Sequence, residues 1–356
     1  STGACVVVGL GLVLLATRHR APASPVPLRA KNGVVEPTAV SKETTEADDE
    51  LAWFPYVSSS KHFPAGAVDS PLCTAAGAVE AHCHELATAP SPRTPWSVYS
   101  MQQLQRWFDF QRELREDAAA AAKRSPVDVV FFGDSIFESF RGTSYGNLAC
   151  REKRCRGVPA EFAAAFKGLQ TVTLAISGDQ VQHLMWRAIE AGDLTHVPGG
   201  GEFDVVRPKV VVILIGTNNL GAGMAPPEIA TAIHKLAAIV ATESRAGELV
   251  VLPLLPRAHG AAHSSQARVA EVNRLTRRAV EAGQGVVGTG RMKAHVALSG
   301  CASTLVTDAT RHLPEERWDV DRALMPDGLH PGAAGAAAWL PCLTAEVTAA
   351  LARVGS

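Results

Sequence analysis

The chain has 356 residues, and its 34 Lys+Arg against 35 Asp+Glu leave a formal net charge of −1, which excludes a general electrostatic pull toward nucleic acid or anionic membrane. With 47% hydrophobic and 19% charged residues it can bury a sizeable core, so a wholly disordered or collagen-like chain is excluded as well. The length accommodates up to two domains of about 100–200 residues each.

Gly3 to Ala16 (GACVVVGLGLVLLA) is an uncharged apolar run of 14 residues followed by Arg18-His19-Arg20. A bilayer span needs about 20 residues, so residues 1–20 read as a signal-peptide core or the remainder of a signal anchor, and the opening Ser1 in place of Met suggests that the native start lies upstream. Ala21 to Glu50 carries Pro22, Pro25, Pro27 and Pro37 and then the acidic SKETTEADDE, without apolar periodicity; it reads as a flexible stalk. Leu51 to Pro95 mixes Trp53, Phe54 and Tyr56 with Cys73, Cys83 and many small residues. Residues 21–95 are therefore expected to be a linker and irregular extension, and residues 96–356 the main domain.

His82-Cys83-His84-Glu85 crowds metal-ligand types together, but no second half stands at finger spacing, and neither a metal nor a cofactor is expected. Outside the apolar run six cysteines remain, an even set behind a membrane-targeting segment, which suggests disulfides and a secretory, lumenal or extracellular destination, with anchoring through the N-terminus as one form of it. The pairs expected are Cys73–Cys83, Cys150–Cys155 and Cys301–Cys342. Spacing alone does not fix connectivity.

From about Trp96 the pattern becomes regular. MQQLQRWFDFQRELREDAAAAAKR places Leu104, Trp107, Phe108 and Leu114 at near-helical spacing before Pro126 ends the run, which predicts an amphipathic helix. Four short, β-branched apolar runs follow at Val127–Phe132, Thr171–Ile176, Val210–Ile215 and Leu249–Leu254, each of strand length. Helical stretches are expected at Gln180–Ala191, Pro227–Arg245, Ser265–Ala282 and Gly332–Arg353. Alternating uniformly apolar strands with helices implies a parallel sheet covered on both faces, and in such sheets active groups gather beyond the carboxyl ends of the strands.

The first strand runs into Gly133-Asp134-Ser135-Ile136, the second into Ser177-Gly178-Asp179 and the third into Gly216-Thr217-Asn218-Asn219, while Asp327-Gly328-Leu329-His330-Pro331 precedes the last helix. Each piece alone is an ordinary turn or cap. Together they supply what ester hydrolysis by serine demands: Ser135 as nucleophile, His330 as general base, Asp327 to orient the imidazole, and donors for an oxyanion from the Ser135 and Gly178 backbone N–H groups and the Asn218 amide. A rival serine, Ser144 in Gly142-Thr143-Ser144-Tyr145-Gly146, matches G-x-S-x-G, a motif with meaning only between a strand and a helix. Trp186 and Arg187 read as packing residues that brace a helix, Arg257 as a residue at the active edge or in a surface ion pair, and GAAGAAAW as close helix packing.

These blocks, GDSI, ISGD, GTNN and DGLH, resemble those of the SGNH (GDSL-type) hydrolases. Within that family, Trp107, DVVFFGDSI, HLMWR, PKVVVILIGTNN, LLPR and Val272-Asn273 are most similar to the catalytic subunits of platelet-activating-factor acetylhydrolases. The resemblance implies a three-layer α/β/α, flavodoxin-like fold with a parallel sheet of about five strands, esterase chemistry on acetyl or other short acyl groups of a lipid, glycan or small ester, no cofactor, and homodimerisation. It covers about Trp96 to Arg353. Thr173 stands where many members carry Asn, and Arg141–Pro159, Pro198–Phe203 and Arg291–Met325 read as enlarged loops. Two other functions fit the same residues: an O-acetyltransferase that passes the acyl group to a sugar hydroxyl, and a non-catalytic binding module on this fold.

Overall fold

The structure, a computed structural model, describes residues 86–94, 100–189, 206–258, 265–283, 286–289, 292–298 and 300–355. The apolar segment at the start, the stalk, Cys73, Cys83 and the His82–Glu85 cluster lie outside them.

The first helix, α1 (Met101–Arg124), starts where the Ser100 hydroxyl accepts the Gln103 N–H at 3.1 Å, a side-chain cap on an otherwise unpaired donor. Lys123 and Arg124 occupy its last turn, where a positive charge is favourable, and Pro126 follows. Its buried stripe of Leu104, Trp107, Phe108, Gln111, Leu114, Ala118 and Ala121 repeats every three or four residues, as one face of a helix must. The chain then alternates through β1 (Val129–Gly133), α2 (Ser135–Arg141), α3 (Val158–Ala165), β2 (Thr171–Ala175), α4 (Val181–Ile189), β3 (Val210–Leu214), α5 (Thr217–Gly221), α6 (Pro226–Ser244), β4 (Glu248–Val251), α7 (Gln266–Ala282), β5 (Val286–Thr289), β6 (Met292–Leu298) and α8 (Ala333–Val354).

The sheet runs in the order β2-β1-β3-β4-β6-β5. Val129 pairs with Thr171 on one side and Val210 on the other; β4 and β6 continue in parallel, and β5 closes the edge antiparallel to β6. Five strands are thus parallel, as expected. The stretch 291–325, read from the sequence as a loop insertion, actually opens with the fifth parallel strand.

Because side chains alternate along a strand, Val130 and Phe132 enter the core shared with α1, α4, α6 and α7, while Val129 and Phe131 enter the core shared with α2, α3 and α8. Both faces are covered, which is why the central strands β1 and β3 are uninterrupted apolar runs. Helix α8 is long and apolar enough to cross a membrane by composition, yet Ala336, Trp339, Leu340, Leu343, Val347 and Ala350 are buried in the second core. The small residues at its start let backbones meet: a methyl group on Gly335 would collide with the Leu324 carbonyl.

Among the described residues two disulfides are formed, Cys150–Cys155 and Cys301–Cys342. Both match the expected pairs. Cys301–Cys342 joins the short helical turn Cys301–Leu305 to α8.

Candidate active site

Strand order reverses at β1, which lies between β2 and β3, and that is where an open α/β sheet leaves a crevice at its carboxyl edge. Three of the four sequence blocks end strands at that edge: GDSI follows β1, ISGD follows β2 and GTNN follows β3. DGLH comes from the loop that precedes α8.

Helix α2 begins at Ser135 directly after Asp134, whose carboxylate accepts the Ile136 N–H at 3.0 Å as an N-cap. Its seven-residue length leaves the first N–H groups without helical acceptors. The Ser135 hydroxyl lies 2.9 Å from His330 Nε2, and His330 Nδ1 lies 2.7 Å from Asp327 Oδ2. The other Asp327 oxygen accepts the backbone N–H groups of Leu329 and His330 at 2.9 and 2.8 Å. That three-residue turn therefore fixes the carboxylate independently of the imidazole. Burial pushes the Asp327 carboxyl upward, but the His330 side chain and these backbone donors outweigh it and hold the group far below the usual carboxylate range.

Gly178 adopts φ +76°, a left-handed conformation natural to glycine. A Cβ there would stand 2.7 Å from Arg93 Nη2 and 3.1 Å from the Tyr145 hydroxyl. Asn218 donates from Nδ2 to the Asp179 carbonyl at 2.8 Å and approaches Asp134 Oδ2 at 3.4 Å, which ties the turn after β3 to those after β1 and β2. Ser135, His330 and Asp327 thus form one hydrogen-bonded chain, and Gly178 and Asn218 stand on the turns linked beside it. Ser144 lies instead in the turn after α2, where it donates to the Ser177 hydroxyl at 3.1 Å; the segment precedes a short 3₁₀ helix rather than linking strand to helix.

Several residues that sequence reading passed over hold these turns. Asp179 is fully buried and accepts from Trp107 Nε1 at 2.7 Å, Arg187 Nη1 at 2.7 Å and Arg93 Nε at 3.2 Å. Arg187 accordingly braces α4, as expected of it, through an ion pair. Arg93 belongs to the segment 86–94 and also donates to the Ser177 carbonyl at 2.6 Å. Glu138, buried on α2, accepts from Thr143 Oγ1, the Gly146 N–H, and both the N–H and the hydroxyl of Ser177. Asn219 receives the Val181 N–H at 3.0 Å and so anchors the start of α4. Arg257 is buried and grips the carbonyl and hydroxyl of Thr217 at 2.7 and 2.9 Å. The sequence signal available was adjacency: Asp134, Ser177, Asp179, Thr217 and Asn219 are the remaining polar letters of the same blocks.

Burial drives the Asp134 carboxyl up to about 7 against its Ile136 hydrogen bond, with the Asp179 charge adding to the rise and the Arg154 and Arg257 charges opposing it. Burial also lowers the Arg154 and Arg257 guanidinium groups, opposed for Arg154 by Glu138, Asp327 and Asp134 and for Arg257 by Asp134. Among the described residues, no three His, Cys, Asp or Glu side chains group to hold a metal ion. A hydroxyl hydrogen-bonded to an imidazole that is itself held by a carboxylate is equipped for acyl transfer through a serine.

The model of the GDSL-like lipase/acylhydrolase family matches residues 131–338, a span that begins in β1 and ends in α8. The alpha1 subunit of platelet-activating factor acetylhydrolase IB from Bos taurus is 29% identical over 163 residues, 46% of this chain and 56% of that protein, and the alpha2 subunit from Gallus gallus is 25% identical over the same length. The match spans little more than half the length of these curated relatives. A GDSL-like lipase structure from Bacteroides thetaiotaomicron aligns with 68% of this chain and 99% of its own, at 16% identity and a TM-score of 0.46. The blocks at the strand ends and the family match over most of the α/β domain lead to one conclusion: this chain belongs to the GDSL-like lipase/acylhydrolase family of ester hydrolases.

Proposed function

We propose that this ester hydrolase removes acetyl or another short acyl group from a lipid, glycan or small ester through an acyl-enzyme on Ser135. The observation that carries the reading is the continuous hydrogen-bonded chain from Ser135 through His330 to Asp327 at the carboxyl edge of β1. His330 Nε2 takes the hydroxyl proton as Ser135 Oγ attacks the ester carbonyl, and Asp327 stabilises the imidazolium that forms. The charge arriving on the carbonyl oxygen is met by the Ser135 and Gly178 N–H groups and by the Asn218 amide hydrogen that otherwise reaches Asp134 Oδ2 at 3.4 Å, while the other stays on the Asp179 carbonyl. Collapse breaks the C–O bond, His330 returns the proton to the departing alcohol, and water attacks the acyl-enzyme by the same steps in reverse. The short acyl group is supported by the acetylhydrolase relatives. The two disulfides support an oxidising, secretory destination.

Release of p-nitrophenol from acetate through octanoate esters tests the reading. Activity should fall with chain length and vanish in Ser135→Ala. A wild type inert on the whole series, or activity that survives in Ser135→Ala, contradicts it.

A further inference from the structure

We infer that Arg154, presented by the loop that the Cys150–Cys155 disulfide closes, is a positioning residue that holds the two backbone donors of the oxyanion site in register. The inference rests on the esterase reading above. Arg154 Nη1 donates to the Ser135 carbonyl at 3.3 Å and to the Ser139 hydroxyl at 2.9 Å, and Nη2 donates to the Ser177 hydroxyl at 3.2 Å. Ser135 carries one of the two donors, and Ser177 immediately precedes Gly178, which carries the other. One planar guanidinium thus spans the turn after β1 and the turn after β2. A guanidinium suits the task because its donors form a rigid fork, whereas a lysine offers a single point.

The loop is built to present this side chain. Cys150 and Cys155 are buried and bonded five residues apart, and the Lys153 and Cys155 N–H groups both close onto the Cys150 carbonyl at 3.0 Å. Arg151, Glu152 and Lys153, the three residues before Arg154, are exposed, whereas Cys155 directly after it is buried. The charges facing Arg154 are Glu138 from α2, Asp134 at the end of β1 and Asp327 from the turn before α8. Glu138 grips the same Ser177 hydroxyl and N–H at 2.6 Å from the opposite side. Ser177 is therefore clamped between a carboxylate and a guanidinium, both tied to the nucleophile's helix. Asp327 also lies within electrostatic reach of Arg154, and each favours the charge of the other.

The test measures kcat and KM on p-nitrophenyl acetate for wild type, Ser135→Ala, Arg154→Lys, Arg154→Met and the double variant Cys150→Ser with Cys155→Ser, with the acid limb of kcat recorded for each active protein and folding checked by thermal unfolding. Displacing a reacting geometry by about 1 Å costs about 10²-fold. Arg154→Met should lose about that factor in kcat with KM nearly unchanged, and its acid limb should move upward. Arg154→Lys should restore the limb while recovering only part of kcat, and the cysteine variant should lose kcat in the same direction. A folded Arg154→Met that keeps kcat within twofold, or that raises KM alone, overturns the assignment while the esterase reading stands on Ser135→Ala. A wild type without activity overturns both.

Discussion

Replacing Glu138 with Gln should destabilise the fold and slow the enzyme together. Glu138 is a fully buried acceptor of four hydrogen bonds, at 2.8 and 2.9 Å from Thr143 Oγ1 and the Gly146 N–H and at 2.6 Å from the Ser177 N–H and hydroxyl. Glutamine keeps the shape and one acceptor oxygen. If that oxygen faces Thr143 and Gly146, the new amide faces Ser177, whose backbone N–H can only donate. The Ser177 hydroxyl already accepts from Ser144 and Arg154, so it loses its acceptor without gaining a donor, and the N–H is orphaned. Hydrogen bonds to charged groups contribute about 1.5–3 kcal/mol each, and an orphaned buried donor costs about 1–3 kcal/mol. Losing one of the former and creating one of the latter gives about 4 kcal/mol, a large part of the roughly 5–15 kcal/mol that holds a typical domain. Urea unfolding followed by circular dichroism should show the midpoint falling with an unchanged slope, and kcat on p-nitrophenyl acetate should drop at temperatures where the variant remains folded, because Ser177 sets the position of Gly178. A variant less than about 1 kcal/mol weaker with wild-type kcat would refute the reasoning that this carboxylate organises the site.

Three further perturbations follow from the same geometry. Asp327→Asn should cut kcat by about 10³–10⁴-fold with little change in Tm, since an Asn oxygen can still accept the Leu329 and His330 N–H groups; a kcat within tenfold of wild type contradicts the orienting role. Gly178→Ala forces an alanine into φ +76° and its methyl against Arg93, so about 1–2 kcal/mol of strain and a kcat loss of about 10²-fold are expected, and steady-state kinetics at wild-type level would count against Gly178 as a donor. Asp134 retains its proton in the native state up to about 7 whereas the unfolded chain releases it near 3.8, so stability associated with this group is fully present below about pH 4 and is lost as pH rises toward 7. Asp134→Asn keeps a capping oxygen and should gain on wild type by up to about 4 kcal/mol across that window; a difference independent of pH in urea midpoints from pH 4 to 8 contradicts the burial argument.

The parallel sheet and the strand-end residues were legible in the sequence because both depend on local pattern. The β1 and β3 runs are apolar throughout, as strands buried on both faces must be, β2 departs from this only at Thr171 and Thr173, and Ser135, Gly178 and Asn218 follow the three within a few residues. The last parallel strand was not legible. Met292–Leu298 (MKAHVAL) interrupts its apolar residues with Lys293 and His295, so it lacks the uniform run that marked the others. The supports of the site escaped for a different reason. Arg93, Glu138 and Arg154 reach Ser177 from a preceding segment, a helix and a disulfide loop, and no spacing along the chain encodes that meeting. A charged side chain ordinarily marks solvent, whereas the fold buries Arg93 and Glu138 and half-buries Arg154 against hydrogen-bonding partners.

The central claim, that Ser135 is the nucleophile, is tested most directly by locating the adduct of a fluorophosphonate. Trypsin separates Ser125–Arg141, which contains Ser135, from Gly142–Arg151, which contains Ser144. The account predicts a stoichiometric adduct on Ser135 within the first peptide, formed only by folded protein and abolished in His330→Ala. An adduct on Ser144, or a folded protein that takes none, contradicts it.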